Sequence, residues 1–345
     1  MKKLSNFKEQ INKCSKCGKC QEICPIYKLT GNDCAVSRGK FVMLKGVLNG
    51  DLKLSKTINK YLDMCLKCGK CKDFCPSDID VCEIFTVAKS EYVKDSLYGK
   101  ITKLLHTLPL FKHKASTLSG GRKGSQKLLY FKGCVNNIYP KSEKAMKKVL
   151  SHFNVELIEK NFDCCGIPFL SSGNLERYEL AKKNNTELLQ GDYDYVITDC
   201  ASCESSLKNY PNIEKNIVNI CHFLAIQKKK FIFKKHLKVT FHKPCHLKSD
   251  AFLKPLFEKC ENIEYIQAKD YDECCGFSGE FALHNPKLSF KMTRQKSKNL
   301  AATNADIILT ACPACIMGLH QGFIGKKHPP IMNLIDFLAL ADQII

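Results

Sequence analysis

Two copies of one cysteine pattern near the N-terminus constrain this chain more than any other feature. The first is Cys14-x2-Cys17-x2-Cys20-x3-Cys24-Pro25, and the second is Cys65-x2-Cys68-x2-Cys71-x3-Cys75-Pro76; we call them the first and second ladder. This spacing is typical of paired [4Fe–4S] clusters, because three thiolates wrap one cube while the fourth points to the other. It predicts one cluster on Cys14, Cys17, Cys20 and Cys75, and a second on Cys65, Cys68, Cys71 and Cys24.

Zinc is the alternative metal that these cysteines could bind. Structural zinc sites typically use two Cys-x2–4-Cys pairs, and such a site would leave the middle one of the first three cysteines of each ladder without a role. A proline after the last cysteine suits a tight turn, because it fixes φ and needs no hydrogen-bond partner. Two complete copies of the pattern therefore favour clusters.

The length and the cysteine content point to an intracellular protein of several domains. The chain has 345 residues, enough for two or three domains. Its 22 cysteines are spaced for metal rather than for disulfides, and the start MKKLSNFKEQIN lacks an apolar signal segment. No run of 18 or more apolar residues occurs, so no spanning helix is predicted. We expect a cytoplasmic protein, with peripheral contact at the inner face of the cytoplasmic membrane as an extension of that expectation.

The basic charge leaves two interpretations of the surface open. The formal net charge is +20, although each four-thiolate cluster would contribute about −2. The lysines are spread along the chain without interleaved aromatic residues or a nucleic-acid motif, so no nucleic-acid partner is expected. Docking to a membrane surface or an acidic partner protein is one interpretation. A merely solvated lysine surface is the other.

Composition shifts divide the chain into four segments. Residues 1–98 form the cluster module, which ends in an amphipathic helix from Val81 to Tyr98. Residues 99–126 read as a basic helix and linker, with a Gly- and Ser-rich stretch before a boundary near residue 125. The two remaining segments, 127–235 and 236–345, are copies of one another.

The internal repeat is visible in four pairs of matching sequences. Residues 128–134 (LLYFKGC) match 238–245 (KVTFHKPC), and 163–166 (DCCG) match 273–276 (ECCG). Residues 195–203 (YVITDCASC) match 307–315 (IILTACPAC), and 218–225 (VNICHFLA) match 332–339 (MNLIDFLA). Asn219 and Asn333 recur at matched positions, which indicates helix capping or a turn.

Short β-rich runs alternate with helical segments in each half. The predicted strands are 128–132, 154–158, 194–198, 238–242, 262–266 and 306–310, and the predicted helices are 141–153, 175–189 and 287–302. This alternation favours a parallel sheet with helices on its faces. The predicted fold class is therefore α/β with an α-helical N-terminal module: a bacterial ferredoxin-like two-cluster domain followed by two tandem repeated α/β domains.

Each half gathers five cysteines. The first half offers Cys134, Cys164, Cys165, Cys200 and Cys203; the second offers Cys245, Cys274, Cys275, Cys312 and Cys315. Ligands in parallel sheets bind at the carboxyl ends of strands, and four of these cysteines follow predicted strands: Cys134, Cys200, Cys245 and Cys312. Five thiols exceed the four of a structural zinc site, which favours an iron–sulfur centre of open geometry. Zinc in one half and redox-active free thiols remain the alternatives.

Other cysteines and histidines have less specific roles. Cys34 and Cys82 lie outside the ladders and read as small buried apolar residues. His242 and His246 flank Cys245 and are candidate hydrogen-bond donors to cluster sulfur, with direct ligation as the lesser alternative. Cys260 has no counterpart in the first half and reads as structural. No catalytic residue is assigned.

The two Cys-Cys-Gly repeats resemble the cysteine-rich (CCG) domains of heterodisulfide reductase subunits. Two ladders followed by two such domains resemble the iron–sulfur subunit of glycolate oxidase, with anaerobic glycerol-3-phosphate dehydrogenase and lactate-utilisation iron–sulfur subunits as relatives. Ser37-Arg38-Gly39-Lys40 is similar to the Pro-Arg-Gly-Arg element of the glycolate oxidase subunit, and His242-Lys243-Pro244-Cys245-His246-Leu247 to its His-Asp-Pro-Cys-His-Leu. The resemblance covers nearly the whole chain.

The resemblance implies an electron-transfer subunit of a glycolate- or lactate-type dehydrogenase complex. A separate FAD-containing dehydrogenase would oxidise the 2-hydroxy acid, because this chain lacks a Gly-x-Gly-x-x-Gly fingerprint. Electrons would pass toward a quinone or a membrane acceptor. The expected cofactors are two [4Fe–4S] clusters in the N-terminal module and one or two further clusters, cubane or non-cubane, in the CCG domains.

One departure from the dehydrogenase subunits supports an alternative function. Both halves keep both cysteines of the closing Cys-x2-Cys, whereas dehydrogenase-subunit relatives often lose one. The full five-cysteine set resembles that of heterodisulfide reductases, where it is associated with non-cubane clusters that act on disulfides. The alternative is therefore a subunit that reduces a disulfide at a CCG-domain cluster.

Overall fold

The computed structural model describes residues 2–94, 96–112, 126–213, 216–277 and 279–345. The predicted Gly- and Ser-rich linker before residue 125 lies outside the described residues. Among the described residues, no helix is both long enough and apolar enough to cross a membrane. Two compact units make up the chain, and each is described by itself below.

The helices carry labels in chain order. They are α1 (Lys8–Asn12), α2 (Lys19–Ile23), α3 (Pro25–Thr30), α4 (Ser37–Asn49), α5 (Lys56–Asp63), α6 (Lys70–Asp73), α7 (Val81–Val93), α8 (Leu97–Leu105), α9 (Lys141–Leu150), α10 (Ile167–Ser172), α11 (Leu175–Leu188), α12 (Ala201–Leu207), α13 (Ile220–Ile226), α14 (Leu253–Glu258), α15 (Phe281–His284), α16 (Pro286–Ala301), α17 (Pro313–Phe323) and α18 (Leu334–Leu338). Short 3-10 turns cover Leu4–Phe7, Asp33–Ala35, Pro109–Phe111 and Cys134–Asn137.

The strands belong to two sheets of the same design. They are β1 (Gln126–Tyr130), β2 (Val155–Glu159), β3 (Tyr195–Thr198), β4 (Asn216–Asn219), β5 (Phe231–His242), β6 (Cys260–Tyr265), β7 (Ile307–Thr310), β8 (Ile331–Asn333) and β9 (Gln343–Ile344). The first sheet has the order β2-β1-β3-β4 and the second β6-β5-β7-β8, all parallel, while β9 pairs antiparallel with β5. The identical strand order confirms that one α/β fold is used twice.

Unit 1 contains Met1–Thr107, Ile167–Glu179 and Gly276–Phe290. Its apolar core lies between α4, α5 and α7, where the Phe41 and Phe85 rings are 5.2 Å apart. Side-chain caps start two of these helices: Ser55 Oγ accepts from the Ile58 amide at 3.4 Å, and Asp80 Oδ1 accepts from the Glu83 amide at 3.0 Å. These caps satisfy amides that have no partner within the helix.

Unit 2 contains Leu108–Gly166, Leu180–Cys275 and Lys291–Ile345. Its central strands are continuous apolar runs, as expected for parallel strands that are covered on both faces. β3 and β7 are almost wholly buried. Asn219 and Asn333 cap α13 and α18 by accepting from the amides of Cys221 (3.0 Å) and Ile335 (3.4 Å), which confirms their predicted capping role.

The two compact units do not contain the same residues as the four predicted segments. The two repeat halves share one unit, and the stretch after each Cys-Cys-Gly motif is assigned to the unit that holds the ladders. The predicted segment boundaries at residues 98, 126 and 235 therefore describe modules of the sequence, and they stay a prediction. The predicted helix from Val81 to Tyr98 is two helices, because α7 ends at Val93 and Ser96 caps α8 by accepting from the Gly99 amide at 3.0 Å.

Candidate functional site

The two ladders have the same local backbone. Gly18 (φ 85°) and Gly69 (φ 80°) precede α2 and α6 at matched positions, and Lys16 (φ 58°) and Lys67 (φ 51°) also adopt the left-handed conformation. Two left-handed residues so close together turn the chain sharply, so that the three thiols of a ladder face one point. Glycine accepts this conformation without a steric penalty.

Two cavities in unit 1 bring the ladder cysteines together. The first cavity is lined by Cys14, Cys17, Cys20 and Cys75, and the second by Cys24, Cys65, Cys68 and Cys71; Cys71 also borders the first. The fourth cysteine of each ladder therefore lies with the three leading cysteines of the other. These are the groups that the spacing predicted, and the assignment of iron to these eight thiols stays a prediction.

Lysine ammonium groups lie beside the second cavity. Lys40 is 2% exposed, and its Nζ donates to Ala35 O at 2.7 Å. Lys67 Nζ donates to Thr86 Oγ1 at 2.8 Å and to Leu170 O at 2.6 Å, and burial lowers the pKa of Lys67 to about 8. Cations next to four thiolates offset the negative charge of a bound cluster, so the surroundings fit such a group.

Cys82 also lines the second cavity. Cys34 and Cys82 are half-buried rather than fully buried as the sequence predicted. Cys82 lies in the first turn of α7, near Cys65 and Cys68, and burial raises its pKa to about 12. Its position places a fifth, protonated thiol beside the second group of four.

The stretches that follow the Cys-Cys-Gly motifs build a polar network within unit 1. Lys89 Nζ lies 2.6 Å from Asp63 Oδ1 and 3.4 Å from Glu280 Oε2, and it donates to Ser171 O at 2.9 Å. Tyr98 donates to Glu280 as well. The network ties α5 and α7 to residues that are distant in sequence.

The five cysteines of the first half converge in unit 2. Cys134 follows β1, Cys200 follows β3, and Cys203 lies in the first turn of α12. Cys134 and Cys164 Sγ are 3.6 Å apart, and Cys165 and Cys200 each contact Cys203. The pKa values of Cys164 and Cys203 are raised. Hydrogen bonds between these thiols are the larger cause, and burial is the smaller one.

The second half repeats these contacts cysteine by cysteine. Cys245 contacts Cys274, and both Cys275 and Cys312 contact Cys315. Hydrogen bonds from Cys200 and Cys315 hold the pKa of Cys312 well below its usual range. Clustered buried thiols are stable as thiolates only beside a compensating cation, so both five-cysteine sites fit a metal group.

The two five-cysteine sites meet at a junction between the repeat halves. Cys200 of the first site forms a hydrogen bond with Cys312 of the second. Ser202 Oγ lies 3.7 Å from Cys312 Sγ and 2.8 Å from His246 Nδ1, and the Ala201 amide donates to Ala311 O at 2.8 Å. The sequence placed the thiols of each half at one edge of its own sheet, and it carried no signal that the two edges face each other.

Polar side chains distinguish the surroundings of the two sites. Asp199, beside Cys200, is fully buried and accepts from Asn136 Nδ2 at 2.9 Å and from Tyr130 OH at 3.3 Å. Burial raises the pKa of Asp199 to about 6. In the second half, one ring nitrogen of His242 lies within 4.8 Å of the Sγ atoms of Cys275 and Cys315. Burial lowers the pKa of His242 to about 3, so its imidazole is neutral.

Family models match both parts of the chain. A model described as "4Fe-4S dicluster domain" matches residues 10–79, and one described as "Cysteine-rich domain" matches residues 128–208 and 239–320. A solved structure, a hypothetical protein from Helicobacter pylori, shares the fold with a TM-score of 0.60 at 11% identity, covering 89% of this chain and 67% of that one.

Several curated proteins are similar over most of the chain. A fumarate reductase (CoM/CoB) subunit of Methanothermobacter marburgensis is 27% identical over 82% of this chain and 62% of its own length. A dihydromethanophenazine:CoB--CoM heterodisulfide reductase subunit of Methanosarcina barkeri is 25% identical, covering 96% and 94%. A probable glycolate oxidase iron-sulfur subunit of Bacillus subtilis is 23% identical, covering 98% and 97%.

The relatives differ in length and in the complexes that their names describe. The chain spans about three fifths of the length of the first curated relatives that it matches, at 61% and 62% of their residues. It spans nearly all of the heterodisulfide reductase and glycolate oxidase subunits. The chain therefore carries a 4Fe-4S dicluster domain followed by two cysteine-rich domains, and it is similar over nearly its whole length to heterodisulfide reductase and glycolate oxidase subunits.

Proposed function

We propose that this protein is the electron-transfer subunit of a complex in which a separate FAD-containing dehydrogenase oxidises a 2-hydroxy acid such as glycolate or lactate. The oxidation yields a 2-oxo acid, two electrons and two protons, and reduction of a quinone to the quinol consumes them. The observation that carries the proposal is the convergence of eighteen cysteines into two ladder cavities and two five-cysteine sites. Iron–sulfur centres on such thiolates would supply one-electron transfer.

The 2-hydroxy-acid assignment is supported by the near-complete overlap with the Bacillus subtilis protein. It is tested with the purified chain, its clusters intact, and the FAD-containing protein that co-purifies with it. We expect glycolate or lactate to drive quinone reduction only when both proteins are present, while the flavoprotein alone still reduces an artificial dye. A complex that oxidises no 2-hydroxy acid would refute the assignment.

Reduction of a disulfide at the junction is the second candidate function. It is favoured by one observation: two complete five-cysteine sites meet where Cys200 contacts Cys312, with Ser202 and His246 beside them. The reaction would take two electrons and two protons, break one S–S bond and release two thiols. Heterodisulfides added to the reduced chain should reoxidise it and change its EPR signals, whereas 2-hydroxy acids should not.

Peripheral membrane contact is proposed for α8. Its solvent-facing side is apolar, with Leu97 73% and Leu104 71% exposed and Ile101 between them along the helix, whereas Gly99 and Thr102 lie on the buried side. Two lysines of the same helix, Lys100 and Lys103, are exposed, and Lys103 lies 3.1 Å from Glu176. An exposed apolar stripe with flanking lysines fits an anionic lipid surface.

Vesicle sedimentation tests the membrane contact. The chain should bind phosphatidylglycerol vesicles more strongly than phosphatidylcholine vesicles, and added salt should weaken binding because it screens the lysines. Replacing Leu97 and Leu104 together by serine should abolish binding, while Leu340→Ser, at an exposed position elsewhere, should not change it. Equal binding by both variants would show that α8 does not form the contact.

A further inference from the structure

The repeat allows the two five-cysteine sites to be compared position by position. Three residues before the first cysteine of each site, the first half has Phe131 and the second has His242. Both side chains are fully buried, and Phe131 packs on Phe162 with 4.8 Å between ring centroids. An apolar ring in one site is therefore replaced by a polar ring in the other.

The ring nitrogens of His242 have no hydrogen-bond partner among the described residues. The Tyr271 carbonyl lies near the ring and, against the larger effect of burial, raises the pKa of His242, but it accepts from the Lys243 amide at 3.0 Å and makes no hydrogen bond of regular geometry with the ring. A buried polar group without a hydrogen-bond partner is destabilising. Such a side chain within 4.8 Å of two cysteine sulfurs indicates that its partner is the group these cysteines bind.

Charged side chains also differ between the two sites, with Asp272 acting on His242 and Glu273 acting on Lys296 in the second. Lys296 on α16 is 3% exposed, and its charge acts on His242, Cys274 and Cys275. The corresponding turn of α11 carries the neutral Asn185, which donates to Cys164 O at 3.2 Å. The first site has the Asp199 carboxyl beside Cys200, where the second has Ala311.

We propose that His242 interacts through a ring nitrogen with the metal group bound by Cys275 and Cys315, and that it makes the second five-cysteine centre more easily reduced than the first. The proposal rests on the proposed function, in which both sites hold iron–sulfur centres. Polar contacts to the sulfurs and positive charge nearby favour the reduced state. The second site is then the place where electrons accumulate before they leave the chain.

The test exchanges the two residues in the full-length chain, reconstituted with iron and sulfide without oxygen. EPR-monitored redox titration gives the midpoint of each centre, and Cys164→Ser and Cys275→Ser identify which signal belongs to which site. His242→Phe should lower the midpoint of the second centre by at least tenfold in its reduction equilibrium, about 59 mV for one electron, and leave the first unchanged. It should also remove a nitrogen coupling from the pulsed-EPR spectrum.

The reciprocal Phe131→His variant should raise the midpoint of the first centre. His242→Gln, which keeps a polar donor, should restore part of the shift, whereas a purely structural role would alter iron content but no midpoint. Unchanged midpoints in His242→Phe with full iron content would overturn this inference and leave the proposed function unaffected. Wild-type chains that bind iron only at the ladders, or zinc at the second site, would overturn the proposed function and the inference with it.

Discussion

Lys16 and Lys67 occupy the same position in the two ladders but have different environments. Both adopt positive φ, yet Lys16 is exposed while Lys67 is partly buried and hydrogen-bonded to Thr86 and Leu170. The ladder pattern is the same around both, so their local sequence does not distinguish them. Only the residues packed against the second ladder make Lys67 a cation enclosed beside a cluster site.

Lys67→Gln should lower the reduction potential of the centre at the second cavity. Removing the positive charge disfavours the added electron, and we expect at least a tenfold change in the reduction equilibrium, about 59 mV. EPR-monitored titration measures this midpoint. Lys16→Gln is the matched control and should change its own centre much less, because water screens the exposed charge; equal shifts in both variants would contradict this explanation.

We expect the buried side chain of His106 to make the folded protein less stable in acid. It is 5% exposed, its Nδ1 lies 3.1 Å from Asn174 Nδ2, and its ring packs 4.7 Å from that of Phe169. Burial lowers its pKa, against an opposing effect of Glu280 and with a smaller contribution from Arg177. Since the unfolded chain then binds the proton more readily, stability falls as the pH drops below about 6.5.

The His106→Gln variant tests this pH dependence. Between about pH 8 and pH 5.5, a window that brackets the ordinary histidine pKa, the melting temperature of the wild-type chain should fall more than that of the variant. The variant has no titrating ring at this position. Differential scanning calorimetry on the anaerobic protein gives both curves. Parallel curves would show that other groups account for the acid sensitivity.

At the scale of elements, a buried ion pair connects α7 to α5 inside unit 1. The Lys89 side chain is 4% exposed and that of Asp63 is 8% exposed, and their 2.6 Å ion pair extends to Glu280. Taking one partner from a buried pair leaves the other charge without compensation, and this costs more than the pair itself contributes. The network is therefore sensitive at its central cation.

Lys89→Met should destabilise unit 1 by about 3–5 kcal/mol, because Asp63 and Glu280 stay buried without their cation. Lys103→Met is the control: its 3.1 Å pair with Glu176 is exposed, and such pairs contribute about 0–1 kcal/mol. Anaerobic denaturation followed by circular dichroism compares the two variants. Similar midpoints would mean that water compensates the buried carboxylates.

At the scale of the whole molecule, each group of cysteines lies within a single unit. The ladder cavities are formed in unit 1 and both five-cysteine sites in unit 2. The sites in unit 2 share the contact between Cys200 and Cys312. Damage to one of them is thus expected to affect its neighbour before it affects the ladders.

Cys275→Ser should reduce the iron and sulfide content of the chain while the absorption of the ladder clusters remains. Cys260→Ser is the matched control, because Cys260 is also buried and its Sγ donates to Leu256 O at 3.3 Å, a bond that serine can keep. Iron, sulfide and zinc analysis of both variants gives the result. Loss of all iron from Cys275→Ser would show that the two units do not assemble their centres independently.

Much of the fold follows from local patterns in the sequence. The alternation of strands and helices and the repeat predicted the α/β halves, and the recurring asparagines predicted the caps of α13 and α18. Strands β4, β8 and β9 were not predicted, because β4 and β8 run directly into α13 and α18 and β9 has only two residues, so none of them gives a periodic signal of its own. β5 starts at Phe231 rather than near residue 238, since its exposed middle lacks that signal.

The amino-acid sequence by itself determined the cysteine groups of this protein, because ligand spacing and a repeat are local properties of a chain. Tertiary structure alone decided which groups meet: Cys200 lies against Cys312, Lys67 against Leu170, and His242 near Cys275 and Cys315. These contacts join residues that are far apart along the chain. They depend on how whole elements pack, and no local pattern records that packing.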